Sequence, residues 1–210
     1  MKILAVQNRM GIGDTVIFLP FIKALSEKFD SPISLLVKEN SKADQFLSQT
    51  DYIDKILYLE RDRNNNRHKG FIGSFNLIKD IKKYNFDKII IFNSSLRFNI
   101  IAKLSKIPKI YQYPLFQKSK QHITDTPKKF LREKFDLEVN EDPEIQINKI
   151  LLSETIERFK IEKDQINILL GIGGSGPTKR IPAVIFLDVI RRLHEIRKCK
   201  FFLATGKNNE

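Results

Sequence analysis

Two glycine-rich segments carry the residues whose types and spacing could do chemistry. The first runs from Gly11 to Asp14, directly after a short apolar stretch. Its glycines let the chain turn sharply and leave room for a ligand beside the backbone N–H groups. Asp14 stands where a helix N-cap is expected, at the mouth of a predicted sheet. Its carboxylate could only cap that helix, or it could also act as a general base.

The second segment, Gly171 to Arg180, reads GIGGSGPTKR and precedes a predicted helix. Its glycines remove side chains from the loop, while hydroxyl groups and positive charges surround them. Free N–H groups and the helix dipole at such a position favour an anion. The spacing does not fit a Walker A loop, and an ordinary turn with a solvated lysine is the plain alternative. We interpret the segment as a diphosphate site, with these candidate ligands: Gly174, Ser175, Thr178 and Lys179.

A third segment, between residues 61 and 70, is polar, basic and without periodicity. A solvated loop is the default interpretation, but the planar fork of arginine also suits carboxylates and phosphates. Its candidate ligand-binding residues are Arg61, Arg63, Arg67 and Lys69. The three histidines are scattered, and Cys199 is the only cysteine, so we expect no metal site.

The elements that must position these residues follow an alternating strand and helix pattern. Such alternation predicts a parallel sheet with helices on both faces. In the first domain the predicted strands are Lys2–Val6, Ile33–Val37, Lys55–Leu59, Asp87–Asn93 and Lys109–Tyr113. Predicted helices include one over Ser41–Ser48, one that Asn93–Ser95 caps, and one that starts at Pro127, a residue typical of the first helical position.

The acidic, turn-rich segment Asn140–Pro143 marks the predicted domain boundary, which gives domains of residues 1–143 and 144–210. The second domain has predicted strands Ile166–Gly171 and Lys200–Ala204 on either side of a helix. A two-stranded parallel sheet leaves an exposed edge. We therefore interpret the second domain as truncated.

The amino-acid composition limits the classes of protein to which the chain can belong. Of the 210 residues, 41% are hydrophobic and 30% charged, which is typical of globular domains. No apolar run approaches the ~20 residues of a membrane span, and no signal peptide precedes the first strand. We expect a cytoplasmic protein. The net charge of +12 could reflect an AT-rich genome or an anionic partner; no nucleic-acid-binding motif is present.

The residue at position 16 argues against one alternative function, that of an NAD-dependent oxidoreductase. A dinucleotide-binding fold needs G-x-G-x-x-G after its first strand, but Val16 stands where the third glycine belongs. The pattern therefore gives little support to an NAD-dependent oxidoreductase.

Several short motifs, in their order and spacing, resemble glycosyltransferase family 9, which contains the lipopolysaccharide heptosyltransferases. They are the opening strand with Ile12–Asp14 and Pro20, then Phe86–Asp87, then Ser95–Arg97, then the loop through Lys179–Pro182. In that loop Ile181 departs from the family's aromatic residue. The resemblance implies a GT-B architecture of two Rossmann-like domains, with the acceptor on the first and the nucleotide-sugar on the second.

The resemblance also implies a reaction. Asp14 would be the general base in an inverting transfer from an ADP-sugar, without a metal or cofactor, and Lys179 would stabilise the leaving diphosphate together with Ser175 and Thr178. Gly13 and the basic segment, Arg61, Arg63, Arg67 and Lys69, would meet an anionic lipid-linked glycan at the cytoplasmic face of the inner membrane. A later motif of the family would lie beyond Glu210, and its absence could leave this chain alone inactive.

Two alternatives to heptosyl transfer stay open. One is a transferase of another nucleotide-sugar on the same fold. The other is a non-catalytic or fragmentary nucleotide-binding module that keeps only the cleft.

Overall fold

The computed structural model describes residues 1–9, 11–61, 66–115, 122–173 and 180–205. The chain divides into two compact units, Met1–Gln146 and Ile147–Glu210. The predicted domain boundary, after Pro143, lies in the extended segment that precedes this division.

The first unit is built on a five-stranded parallel sheet, which confirms the predicted fold class. Its strands are β1 (Ile3–Val6), β2 (Ile33–Lys38), β3 (Ile53–Leu59), β4 (Lys88–Ile91) and β5 (Lys109–Gln112). They lie in the order β3-β2-β1-β4-β5, and every neighbouring pair is parallel. The strand order changes direction between β1 and β4, and ligands of such sheets bind in the crevice outside the carboxyl ends of the strands at that point.

Six helices of the described residues surround this sheet. They are α1 (Ile12–Ile17), α2 (Leu19–Phe29), α3 (Asp44–Leu47), α4 (Gly70–Lys82), α5 (Leu96–Leu104) and α6 (Asp125–Phe135), with a 3-10 turn at Glu39–Ser41. The predicted helix over Ser41–Ser48 is therefore wrong in extent, because the chain forms the 3-10 turn and the short α3 instead. Pro127 is the third residue of α6, not the first, and still falls where a helix needs no N–H donor.

Alternating side chains of β1 supply both faces of the core. Ile3 and Ala5 belong to the cluster that includes residues of α2 and α6. Leu4 and Val6 belong to the cluster that includes residues of α4 and α5. All four are buried, as expected of a central parallel strand that is covered on both faces. The apolar run before the first glycine turn therefore anchors that turn at the centre of the sheet.

The first helical segment breaks at Phe18. The N–H of Phe18 donates to the carbonyl of Thr15, and the N–H groups of Phe21 and Ile22 donate to the carbonyl of Phe18. Pro20 is the second residue of α2, where its missing N–H costs nothing. The break separates the short α1, which carries the glycine turn, from the buried α2.

The second unit contains α7 (Lys149–Arg158), β6 (Ile166–Gly171), α8 (Ala183–Ile196) and β7 (Cys199–Ala204). The two strands pair in parallel from Ile166 opposite Cys199 to Gly171 opposite Ala204. Both predicted strands of this unit are confirmed. Among the described helices of the whole chain, none combines the length and apolarity that crossing a membrane requires.

Candidate active site

Polar residues follow the buried strands at the carboxyl edge of the sheet. Gln7 follows β1, Asn93 lies just beyond β4 and Tyr113 follows β5. The N–H of Gln7 donates to the carbonyl of Leu36 over 3.0 Å, and the N–H of Tyr113 donates to that of Ile91 over 3.3 Å. These bonds extend the strand ladder by one residue, so Gln7 and Tyr113 belong to the same edge of the sheet.

The turn after β1 places Asp14 differently from the prediction. Gly11, with a φ of 95°, is the N-cap residue of α1, and Asp14 is the third helical residue. The expectation that Asp14 is the N-cap is therefore wrong. Gln7 holds the turn, since its Nε2 donates to the backbone oxygen of Asp14 over 3.3 Å. An acidic side chain in the first helical turn still interacts favourably with the helix dipole.

Among the described residues the carboxylate of Asp14 has no partner. The residue is half-buried, and neither a capping bond nor any other hydrogen bond or ion pair joins its side chain to the part of the chain that the structure describes. A carboxylate that folding does not use is available to accept a proton from a bound hydroxyl group. The geometry therefore leaves the general-base role open to Asp14.

Gly13 is not required by the fold around it. Its backbone does not occupy the positive-φ region, and a Cβ built on it would meet no described heavy atom within 4 Å. Gly11, by contrast, needs its positive φ, which side chains other than glycine rarely adopt. Since neither conformation nor packing explains a glycine at position 13, the open space beside its backbone suits the close approach of a ligand.

Buried polar atoms without a partner border the same edge. They are Gln7 Oε1, Asn40 Oδ1, Asn93 Nδ2 and the Tyr113 hydroxyl, none of which is hydrogen-bonded within the described ranges. Burial raises the pKa of the Tyr113 phenol, against the opposing charge of Arg9, so the hydroxyl stays a donor at neutral pH. An unsatisfied buried polar group costs about 1–3 kcal/mol, which a ligand could recover.

These residues were not predicted as site residues. The sequence predicted Asn93 only as part of a helix cap, and in the structure its Oδ1 does accept from the N–H of Ser95 over 2.9 Å. The available signal was the position of a polar residue directly after a buried strand, because the carboxyl ends of parallel strands share one edge.

The basic segment is divided by the structure. Arg61 is exposed just beyond β3, and Lys69 is exposed just before α4. Arg67 pairs with Asp80 through both carboxylate oxygens, with a distance of 2.8 Å between its Nη2 and Oδ1. This pairing, with help from Lys83 and His68, holds the pKa of the Asp80 carboxyl well below its usual range. Arg67 therefore has a structural partner, while Arg63 lies outside the described residues.

Arg97 carries a positive charge that the sequence did not predict as part of the site, although it belongs to the motif Ser95–Arg97. Its Nε donates to Ser74 Oγ over 2.9 Å and its Nη2 to the carbonyl of His68 over 2.6 Å. Burial lowers the pKa of Arg97, and the nearby charge of Arg61 lowers it further. Within the described part of the chain neither arginine has a carboxylate partner, so the pair is suited to an anion.

His68 fixes the segment that holds Arg97. It is 2% exposed; its Nδ1 accepts from the N–H of Glu60 over 3.1 Å, and its Nε2 lies 3.1 Å from Asp80 Oδ2. Because Nδ1 accepts, the ring proton belongs on Nε2, facing the carboxylate. Gly73 lets α4 approach this segment, since a Cβ there would lie 2.2 Å from the His68 carbonyl carbon.

The predicted donor ligands of the second unit, Gly174, Ser175, Thr178 and Lys179, lie outside the described residues. Their flanks are described: Gly171 ends β6, and Arg180 is exposed before α8. No described part of the chain gathers three or more histidine, cysteine or acidic side chains in a geometry that could hold a metal ion.

Comparison with known proteins gives matches at the level of structure alone. No sequence-family profile and no curated protein matches the chain. The glycosyl transferase family 9 structure from Veillonella parvula DSM 2008 matches with a TM-score of 0.72 and 19% identity, over 98% of this chain and 63% of that one. The ADP-heptose lps heptosyltransferase II of E. coli matches with a TM-score of 0.67 and 16% identity, over 97% and 64%.

The E. coli heptosyltransferase WaaC, in its structure with ADP, also matches, with a TM-score of 0.59 and 12% identity over 96% of this chain and 67% of that one. The chain thus spans less than two thirds of the length of the first two structures. Together with the parallel sheets of both units, these similarities show that the chain has the α/β fold, of GT-B type, of glycosyltransferase family 9 and the lipopolysaccharide heptosyltransferases.

Proposed function

We propose that the chain belongs to a glycosyltransferase that moves a sugar from a nucleotide-sugar to a glycan acceptor. The observation that carries the proposal is the Asp14 carboxylate, half-buried at the carboxyl edge of the sheet and without a partner among the described residues. The open backbone at Gly13 and the unpartnered polar atoms around Gln7 and Tyr113 support a ligand at this edge. The shared fold with heptosyltransferases supports the reaction class.

In this proposal Asp14 accepts the proton of an acceptor hydroxyl group as its oxygen attacks the anomeric carbon of the donor sugar. The bond from that carbon to the diphosphate oxygen breaks, the nucleoside diphosphate leaves with the bonding electrons, and the configuration inverts. Lys179, with Ser175 and Thr178, would stabilise the charge of the leaving diphosphate, so that no metal or other cofactor is required.

The finer identity of the substrates is also a proposal. The structures with this fold include an ADP-heptose lps heptosyltransferase, and a heptosyltransferase with ADP-2-deoxy-2-fluoro heptose. ADP-heptose is therefore our first candidate donor, and an anionic lipopolysaccharide core our first candidate acceptor. Its proposed contacts are Gly13, Arg61, Arg63 and Lys69, whereas the charge of Arg67 is already paired with Asp80. The net charge of +12 supports peripheral binding at an anionic membrane surface, on the cytoplasmic face of the inner membrane.

The test compares two acid-to-amide variants at opposite ends of one helical segment. Asp14→Asn removes the proposed base, and Asp30→Asn makes the same charge change at the far end of α2, where the residue is exposed. In a full-length form of the protein, transfer from ADP-heptose to heptose-deficient core lipopolysaccharide is followed by mass spectrometry, and donor and acceptor binding by calorimetry. We expect Asp14→Asn to slow transfer by about 10²–10⁴-fold with binding intact, and Asp30→Asn to have no effect.

Undiminished transfer by Asp14→Asn removes that carboxylate from the reaction. Competition of ADP, GDP and UDP with the donor identifies the nucleotide that the protein binds. Tighter binding of GDP or UDP would favour a transferase of another nucleotide-sugar. Binding of a nucleotide without any transfer by the unmodified full-length form would favour the alternative of a non-catalytic binding module.

A further inference from the structure

An apolar groove of about 520 Å³ lies between α4 and α5, on one face of the sheet. That volume is within the range of about 300–1,000 Å³ that is typical of ligand sites. The groove has a wall from each helix and a buried floor that includes Ile101, which is 1% exposed. The apolar wall residues are Phe71, Phe75 and Ile78 of α4 and Leu96, Ile100 and Leu104 of α5.

The walls of the groove expose large apolar side chains to solvent. Phe71 is 81% exposed, and Phe75, Ile100 and Leu104 are each about half exposed. The rings of Phe71 and Phe75 already pack edge to face, with their centroids 5.2 Å apart. Contiguous exposed apolar surface of this kind marks a binding site on a folded domain more often than chance. The wall is therefore formed before a ligand arrives.

Two positive charges border the same groove. Arg61 and Arg97 both line it, and Arg97 is held in place by its bonds to Ser74 and His68. Neither guanidinium pairs with a carboxylate in the described ranges, and the charge of Arg61 adds to burial in lowering the pKa of Arg97. The groove thus combines two apolar walls with a cationic group that no described carboxylate neutralises.

We propose that this groove binds one acyl chain of an anionic amphiphile, whose phosphate or carboxylate lies on Arg61 and Arg97. The chain would displace water from Phe71, Phe75 and Ile100, and the anion would relieve the repulsion between the two guanidinium groups. The proposal rests on the proposed function in one respect: if the chain transfers a sugar, this amphiphile is the lipid part of the glycan acceptor. The site itself follows from the groove and its charges.

The probe is dodecyl phosphate below its critical micelle concentration, titrated into the 210-residue chain by calorimetry without any sugar nucleotide. We expect binding of one molecule per chain, with affinity rising about fourfold for each methylene added to shorter alkyl phosphates. Inorganic phosphate and the uncharged dodecyl maltoside should each bind far more weakly, since each offers only half of the recognised chemistry.

Matched variants distinguish binding in the groove from non-specific adsorption to exposed apolar surface. Phe71→Ser removes a groove wall, whereas Ile72→Ser alters the next residue of α4, which is 76% exposed and does not line the groove. Arg61→Gln removes a cation at the groove, whereas Lys79→Gln removes an exposed cation elsewhere on α4. We expect Phe71→Ser and Arg61→Gln to weaken binding about tenfold and the two controls to leave it unchanged, with circular dichroism confirming the fold of each variant.

Equal losses for Phe71→Ser and Ile72→Ser would overturn the proposal in favour of non-specific adsorption. Inorganic phosphate that binds as tightly as dodecyl phosphate would overturn the acyl-chain part of it. Because no transfer is measured, failure here is distinct from failure of the Asp14 reaction.

Discussion

Replacing a single glycine by alanine should have opposite effects on stability at two positions of the first unit. Gly13 is the second residue of α1, and a Cβ there would meet no described heavy atom within 4 Å. Gly73 is a buried residue of α4, where a Cβ would lie 2.2 Å from the carbonyl carbon of His68 and 2.8 Å from its Cα and its oxygen. The two substitutions are chemically identical, so the surroundings alone decide the outcome.

The magnitudes follow from these surroundings. Glycine costs about 0.5–1 kcal/mol relative to alanine within a helix, because it loses more backbone entropy on folding. Since Gly13 lies in the first turn, Gly13→Ala should raise the free energy of unfolding by about 0.5 kcal/mol. In Gly73→Ala the new Cβ pushes α4 away from the backbone of His68, and no change of rotamer can relieve this clash. The substitution should therefore lower the free energy of unfolding by about 3 kcal/mol.

Function should separate from stability at Gly13. In the proposed reaction, a methyl group in the space beside the backbone would displace the acceptor hydroxyl from Asp14, and a displacement of about 1 Å can cost roughly 100-fold in rate. Urea unfolding followed by circular dichroism measures stability, and transfer from ADP-heptose measures function. We expect Gly13→Ala to be slightly more stable and much slower. If it transfers sugar at the unmodified rate, no ligand approaches Gly13; if it loses stability as Gly73→Ala does, the space beside it is not open.

Three further predictions concern the groups around the two sites. The pKa of Asp80 in the folded chain is below its ordinary value of about 3.9, so its pairing stabilises the fold above that pH and the contribution is lost as the pH falls further. Asp80→Asn should therefore unfold in less urea at pH 7 than the unmodified chain, and the difference should shrink toward pH 3; a constant difference would refute the linkage. Tyr113→Phe should raise the free energy of unfolding by about 1–3 kcal/mol, because it removes a buried hydroxyl that has no hydrogen-bond partner among the described residues. It should also slow transfer up to about tenfold, because a bound ligand loses that donor. His68→Leu should lower the free energy of unfolding by about 1–3 kcal/mol, since it leaves the partly buried N–H of Glu60 without its acceptor; unfolding at an unchanged urea concentration would show that this bond does not anchor the segment.

Local sequence predicted the framework of the first unit. Apolar runs such as Ile89–Phe92 are strand-sized and buried on both faces, and the structure confirms each predicted strand to within a few residues. The glycine turns and the alternating helices then restricted the sheet to a few possible topologies, because parallel strands need crossover connections. The position of Asp14 at the mouth of the sheet followed from the same order of elements, although its exact helical position did not.

Only the tertiary structure decided which polar groups are free to act. Arg61 and Arg67 look alike in the sequence, yet Arg67 is neutralised by Asp80, thirteen residues further on, because α4 brings that carboxylate back beside the basic segment. Conversely, the placement of Arg97 beside Arg61, and the groove between α4 and α5, depend on how two helices pack on one face. Propensity and periodicity act over a few residues, whereas pairing of charges and burial of hydroxyl groups depend on contacts between residues that are distant in the chain.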